Sequence, residues 1–193
     1  MPRNLELKAR INSPTRIVRI LRTNAEFLRE IRQTDTYFVV RKGRLKLREV
    51  AGEAAEMIYY ERNEGKGPRW SDFERTPVPP GFRLKRALQQ SLGIRVIVKK
   101  RRRIFYYKKI GRVHVDAVNG LGYFVELEIE SSGNLAKAEM IQRELVALLG
   151  IERKNEVRNS YSDLILEKAD RFRESSRSMP GSEAPHDSDS TAM

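Results

Sequence analysis

Cysteine is missing from this 193-residue sequence, and histidine occurs only twice, at His114 and His186. The first absence excludes disulfides, thiolate nucleophiles and cysteine-bound zinc, and the second excludes a histidine-rich metal centre. Any metal is then expected on oxygen ligands, which favours Mg2+, Mn2+ or Ca2+. Tryptophan is scarce as well, with a single residue at Trp70. No apolar run approaches the roughly 20 residues that a membrane-spanning helix needs, and the first residues lack the pattern of a secretory signal. The expectation is a cytoplasmic protein with no membrane partner. The sequence also holds no Ser-His-Asp arrangement, phosphate-binding glycine loop or dinucleotide fingerprint.

Positive charge, by contrast, is in excess. Lysine and arginine total 38 against 26 aspartates and glutamates, a formal net charge of +12. Such a balance favours anionic partners, whether nucleotides, polyphosphate or nucleic acid. Hydrophobic content of 39% and charged content of 33% fit one globular domain, expected over residues 1–174. From about Ser175 the chain is rich in Ser, Pro, Gly and Asp and poor in apolar residues, so 175–193 reads as a disordered tail.

Between these limits the hydrophobic pattern has period two. In the run Phe124 to Glu130, Val125, Leu127 and Ile129 alternate with Glu126, Glu128 and Glu130, the signature of a strand with two unlike faces. Leu5, Leu7 and Ala9 alternate with Glu6, Lys8 and Arg10. Leu45 and Leu47 alternate with Arg44, Lys46 and Arg48, and Val113, Val115 and Ala117 with Arg112, His114 and Asp116. A sheet that collects carboxylates and cations from several strands on one face is poorly explained as ordinary surface. It reads as a charged interior that holds metal ions and a polyanion.

Further strands are expected at 27–40, 57–62, about 71–76 and 94–107, with Asn119-Gly120 as the strongest hairpin signal. Helices are expected after Ser13-Pro14, over 82–92 up to Gly93, from the Asn134 cap to Gly150, and over 161–172. Residues 63–70 read as a loop. The sum is an α+β fold: an antiparallel, eight-stranded, closed or nearly closed β-barrel with helices packed on its apolar outside.

Several ordered segments resemble the CYTH superfamily, which contains class IV adenylyl cyclases and thiamine triphosphatases built on the triphosphate tunnel fold. Glu6-Leu7-Lys8 with Arg10 resembles the family's E-x-E-x-K opening. Gln33 to Phe38, Gly43 to Arg48, Gly67-Pro68, Ser71-Asp72, Lys100-Arg101-Arg102 and Arg112 to Asp116 follow in the family's order. Gly120 to Glu128 and Ser160 to Leu164 complete the set. The Arg3-Asn4 start and the blocks at Gln33 and Gly43 look most like the class IV cyclase branch. One departure stands out: Asn4 occupies the place of the first glutamate and brings no charge, which implies a weaker metal position there.

The resemblance implies a divalent ion, Mg2+ or Mn2+, on Glu6, Glu126 and Glu128 with Asp116. It implies a triphosphate held by Lys8, Arg10, Lys46, Arg48, Arg62, Lys100, Arg102 and Arg112, and catalysis centred on Glu6, Lys8 and Glu128. Lys99, Arg101 and Arg103 have the opposite parity and are expected to face water. Tyr37, Tyr60, Trp70 and Phe105 read as core or rim residues, and His114 as a residue that packs or hydrogen-bonds within the barrel. The implied activity is conversion of ATP to cyclic AMP and pyrophosphate. The alternatives are hydrolysis of thiamine triphosphate, a nucleoside triphosphate or tripolyphosphate, and a non-catalytic module that binds polyphosphate, nucleotides or RNA. A small triphosphate ranks ahead of nucleic acid as partner. Similar proteins are often dimers, so a homodimer is also an expectation.

Overall fold

Strands with one apolar and one charged face need two environments, and a curled sheet supplies both. The computed structural model describes residues 4–62, 71–78, 81–130 and 134–177. In chain order its elements are β1 (Asn4–Arg10), α1 (Pro14–Asn24), β2 (Glu26–Phe38), β3 (Arg44–Val50), β4 (Ala55–Arg62), β5 (Ser71–Val78), α2 (Gly81–Leu92), β6 (Ile94–Tyr107), β7 (Gly111–Val118), β8 (Gly122–Glu130), α3 (Leu135–Leu149) and α4 (Tyr161–Arg177). A single 3-10 turn, Arg153–Asn155, precedes α4. The eight strands form one antiparallel sheet in the order β1-β8-β7-β6-β2-β3-β4-β5. No ladder joins the edge strands β1 and β5 among the described residues, yet side chains from all eight strands line one lumen. The sheet is therefore a nearly closed barrel, as the alternation predicts.

Local signals explain where the elements start and stop. The Ser13 hydroxyl accepts from the Arg16 amide at 3.3 Å, with Pro14 at the first helical position of α1. The Asn134 side chain accepts from the Lys137 amide at 2.9 Å, and α3 ends at Gly150, whose φ of 63° suits a residue without a Cβ. Each strand boundary lies within two residues of its expected place. Helix α4 runs on through Arg177, beyond the residue 172 expected and into the stretch read as tail; residues 178–193 and the loop 63–70 lie outside the described residues.

Three apolar clusters hold the barrel. The outer faces of β1, β7 and β8 bury Ala9, Val113, Val115, Val125, Leu127 and Ile129 against Ile17 and Leu21 of α1 and Ile141, Leu145 and Leu149 of α3. On the outside of β2 and β3, Phe38 and Leu47 pack with Leu84 and Leu88 of α2. The third cluster differs in kind. Tyr37, Tyr60, Val98 and Phe124 share the parity of the lumen residues, and they enclose Tyr161 and Leu164 of α4. Helix α4 thus fills one end of the barrel rather than covering its flank. No helix among the described residues is long and apolar enough to cross a membrane.

Candidate active site

Strand register stacks the charged side chains in tiers across the barrel wall. Glu6 of β1, Glu128 of β8 and Arg112 of β7 are neighbours in one tier; Lys8, Glu126 and His114 are neighbours in the next. Asp116 pairs with Arg102 of β6, and Lys100 with Gln33 of β2. Across the lumen, Asp35 lies opposite Arg48 and Tyr37 opposite Lys46. The resulting cavity measures about 710 Å3 and is lined by eight lysines and arginines and six carboxylates, within the size range of small-molecule sites.

Two buried aspartates organise the cations. Asp35 accepts from Gln33 Nε2 at 2.7 Å and Arg48 Nε at 3.1 Å, with Lys46 at 3.6 Å and Lys100 at 4.0 Å. Asp116, with no exposed surface, takes both Nε and Nη2 of Arg102 at 2.7 and 2.6 Å. It also accepts from the Tyr161 hydroxyl at 3.0 Å and lies 3.7 Å from Lys100. Arg102 extends from Asp116 to Glu126, which in turn sits 3.3 Å from Lys8 Nζ. Lys8 and Lys100 lie over the Tyr161 ring at 4.3 and 5.0 Å, so α4 supplies an aromatic floor. Charges of alternating sign run continuously from one wall to the other.

Proton affinities follow from these contacts. Burial alone would raise the Asp35 carboxyl, but Lys46, Arg48 and Lys100 outweigh it and hold the group far below the usual range. Burial likewise opposes ionisation of Glu126 and Asp116. Lys8 and Arg102 keep Glu126 well below its ordinary value, and Arg102 and Lys100 lower Asp116. Lys46 moves the other way. Burial, with Arg48, Lys100 and Arg102 nearby, lowers its ammonium to about 7 against the pull of Asp35.

Most of the residues expected from the sequence meet in this lumen: Glu6, Lys8, Lys46, Arg48, Lys100, Arg102, Arg112, Glu126 and Glu128 all line it. Arg10 does not. It is exposed beyond Phe124, donating to the Leu121 carbonyl at 3.0 Å with its guanidinium over the Phe124 ring. Asp116 lies behind Arg102, saturated with donors, and is not among the groups that open on the cavity. The Arg62 side chain, the Asn4 side chain and Trp70 lie outside the described residues. Lys99 and Arg101 are exposed on the outer face, Arg103 pairs there with Glu30 at 2.6 Å, and Phe105 is buried on the helix-covered side.

A divalent ion is consistent with the donor set. Ligand atoms of His114, Glu126 and Glu128 all lie within 4.8 Å of one another, and Glu6 faces Glu128 across the β1–β8 ladder. Sequence reasoning had no role for Asp35, Gln33 or Tyr161. A single aspartate inside the β-branched and aromatic run Thr34 to Val40 was the available signal for Asp35, because an isolated charge in such a strand needs partners.

The comparisons with known proteins agree with this arrangement. The CYTH domain profile matches residues 2–161. A conserved hypothetical protein from Pyrococcus furiosus superposes with a TM-score of 0.73 at 22% identity, covering 83% of this chain and 99% of its own. A putative adenylate cyclase from Vibrio parahaemolyticus gives 0.68 at 20% identity, covering 84% and 97%. A putative adenylyl cyclase from Hippeastrum, described as having a dominant triphosphatase activity, gives 0.63 at 12% identity, covering 88% and 96%. No curated protein sequence matches the chain significantly. With the profile spanning most of the sequence and the barrel superposing over almost the whole of each of these structures, the chain belongs to the CYTH domain family.

Proposed function

We propose that this protein is a metal-dependent enzyme acting on a nucleoside triphosphate, most like the class IV adenylyl cyclases that make cyclic AMP and pyrophosphate from ATP. The observation that carries the reading is one lumen holding a row of lysines and arginines beside the Glu6, Glu126 and Glu128 carboxylates. A polyphosphate chain needs the first set, and a divalent ion that accompanies it needs the second. The end of the lumen away from α4 supports an organic substrate. Leu28, Ile31, Val50 and Ile104 line it there, giving a nucleobase an apolar wall.

In this reading Lys46, Arg48 and Lys100 take the terminal phosphate oxygens, exchanging part of their hold on Asp35. Lys8 and Arg102 neutralise the charge that gathers on the leaving pyrophosphate. Glu6, Glu126 and Glu128 would hold the ion, which when bound supplies Lewis-acid polarisation of the phosphate oxygens. Cyclisation forms a bond from the ribose O3′ to the α-phosphorus as the bond to the bridging oxygen breaks. The hydroxyl proton passes to water at the open mouth.

Hydrolysis is the second reading, favoured by the triphosphatase activity attributed to the Hippeastrum protein. The same cations serve it, with water attacking the terminal phosphorus. Incubating the protein with ATP and Mg2+ or Mn2+ and resolving the products tests both. Cyclic AMP with pyrophosphate supports the cyclase and ADP with phosphate the hydrolase; tight ATP binding with neither product leaves a binding module. Glu128→Ala abolishes turnover in either enzyme, and an unchanged rate removes Glu128 from the machinery.

A further inference from the structure

His114 lines the lumen, and the proposed function leaves its chemistry unused. Its ring is 4% exposed, and its Nδ1 is buried without a hydrogen-bond partner. That nitrogen points at the two β8 carboxylates, 3.5 Å from Glu128 Oε1 and 3.9 Å from Glu126 Oε2. A buried polar atom that forgoes a hydrogen bond costs about 1–3 kcal/mol. An imidazole nitrogen that faces two carboxylates at ligand spacing recovers that cost by donating its lone pair to a cation. We infer that His114 Nδ1 is a direct ligand of the ion held by Glu126 and Glu128, so that the site selects a transition-metal dication such as Mn2+ over Mg2+. The physical reason is ligand type: Mg2+ takes oxygen and sheds water reluctantly, whereas imidazole nitrogen suits the first-row metals. This replaces the all-oxygen ligand set expected from the sequence, and it rests on the metal-binding reading of the lumen.

The test is pulsed EPR on the full chain loaded with Mn2+ and tripolyphosphate. Wild type shows nitrogen-14 modulation from a coordinated imidazole. The only other histidine is His186, so His186→Ala retains the modulation and His114→Gln loses it. In titrations of the free Mn2+ signal, His114→Gln weakens binding by at least about tenfold, while Mg2+ affinity, read by competition, falls by a smaller factor. Mn2+ bound by wild type without nitrogen modulation, and lost in Glu128→Gln, overturns the role of His114 while leaving the carboxylate site standing. Equal losses of Mn2+ and Mg2+ in His114→Gln overturn the selectivity. No retention of Mn2+ by wild type overturns both the inference and the reading beneath it.

Discussion

Asp35 shows how a single residue sets the properties of its neighbours. Its carboxylate gathers Gln33, Lys46, Arg48 and Lys100, so the cations are aimed before any anion enters. Removing one of them costs a charged hydrogen bond to the ligand. Arg48→Ala is expected to weaken ATP binding by about 1–3 kcal/mol in titration calorimetry, and an unchanged affinity would show that Arg48 stays with Asp35. Lys46 makes a prediction of a different kind. In the empty lumen its proton is held only up to about pH 7, whereas phosphate oxygens alongside raise that limit. At pH 8 tripolyphosphate binding therefore takes up a proton that Lys46→Met does not. Calorimetry in buffers of different ionisation enthalpy reads the difference, and identical proton counts in the two proteins would refute it.

Among the elements, α4 decides the shape of the lumen, and its start is tied to two distant strands. The Val157 amide, just before it, donates to the Lys8 carbonyl at 2.8 Å. From β3, Arg44 donates to Ser160 Oγ at 2.6 Å and Asp163 Oδ2 at 2.9 Å. Arg44→Ala is expected to destabilise the fold by about 1–3 kcal/mol and to speed amide exchange in the first turn of α4, with α3 unaffected. Uniform acceleration across both helices would contradict this. The elements also mark what the sequence could convey. Alternation in β8 and β1 revealed two faces because each residue there chooses between oil and charge. Parity does not give depth, however: Arg10 shares a face with Lys8 yet lies past Phe124, outside the cavity. For α4, helical spacing announced an apolar stripe without saying which surface receives it. Only the fold brings that stripe to Tyr37, Val98 and Phe124.

On the scale of the whole molecule, the lumen accounts for little of the +12 charge, since carboxylates nearly balance cations along its walls. Stability then depends on pH through those buried acids. Asp35, Asp116 and Glu126 all hold their protons less tightly when folded than when unfolded. Their contribution is complete above the unfolded values near 4 and is lost as pH falls through the folded ones. Melting temperatures are expected to fall progressively as pH drops below about 4, and a flat profile would mean the acids are solvated. Lys46 acts on the other limb: its folded value lies below 10.5, so its contribution to stability grows as pH rises from about 7. One consequence reaches beyond stability. Tyr161 and Leu164 stopper the α4 end of the barrel, which leaves the opposite end as the approach for a ligand. Under the proposed cyclase activity, pyrophosphate leaves by the end through which ATP arrives, so product inhibition competitive with ATP is the expected outcome in initial-rate kinetics, and its absence would point to a second exit.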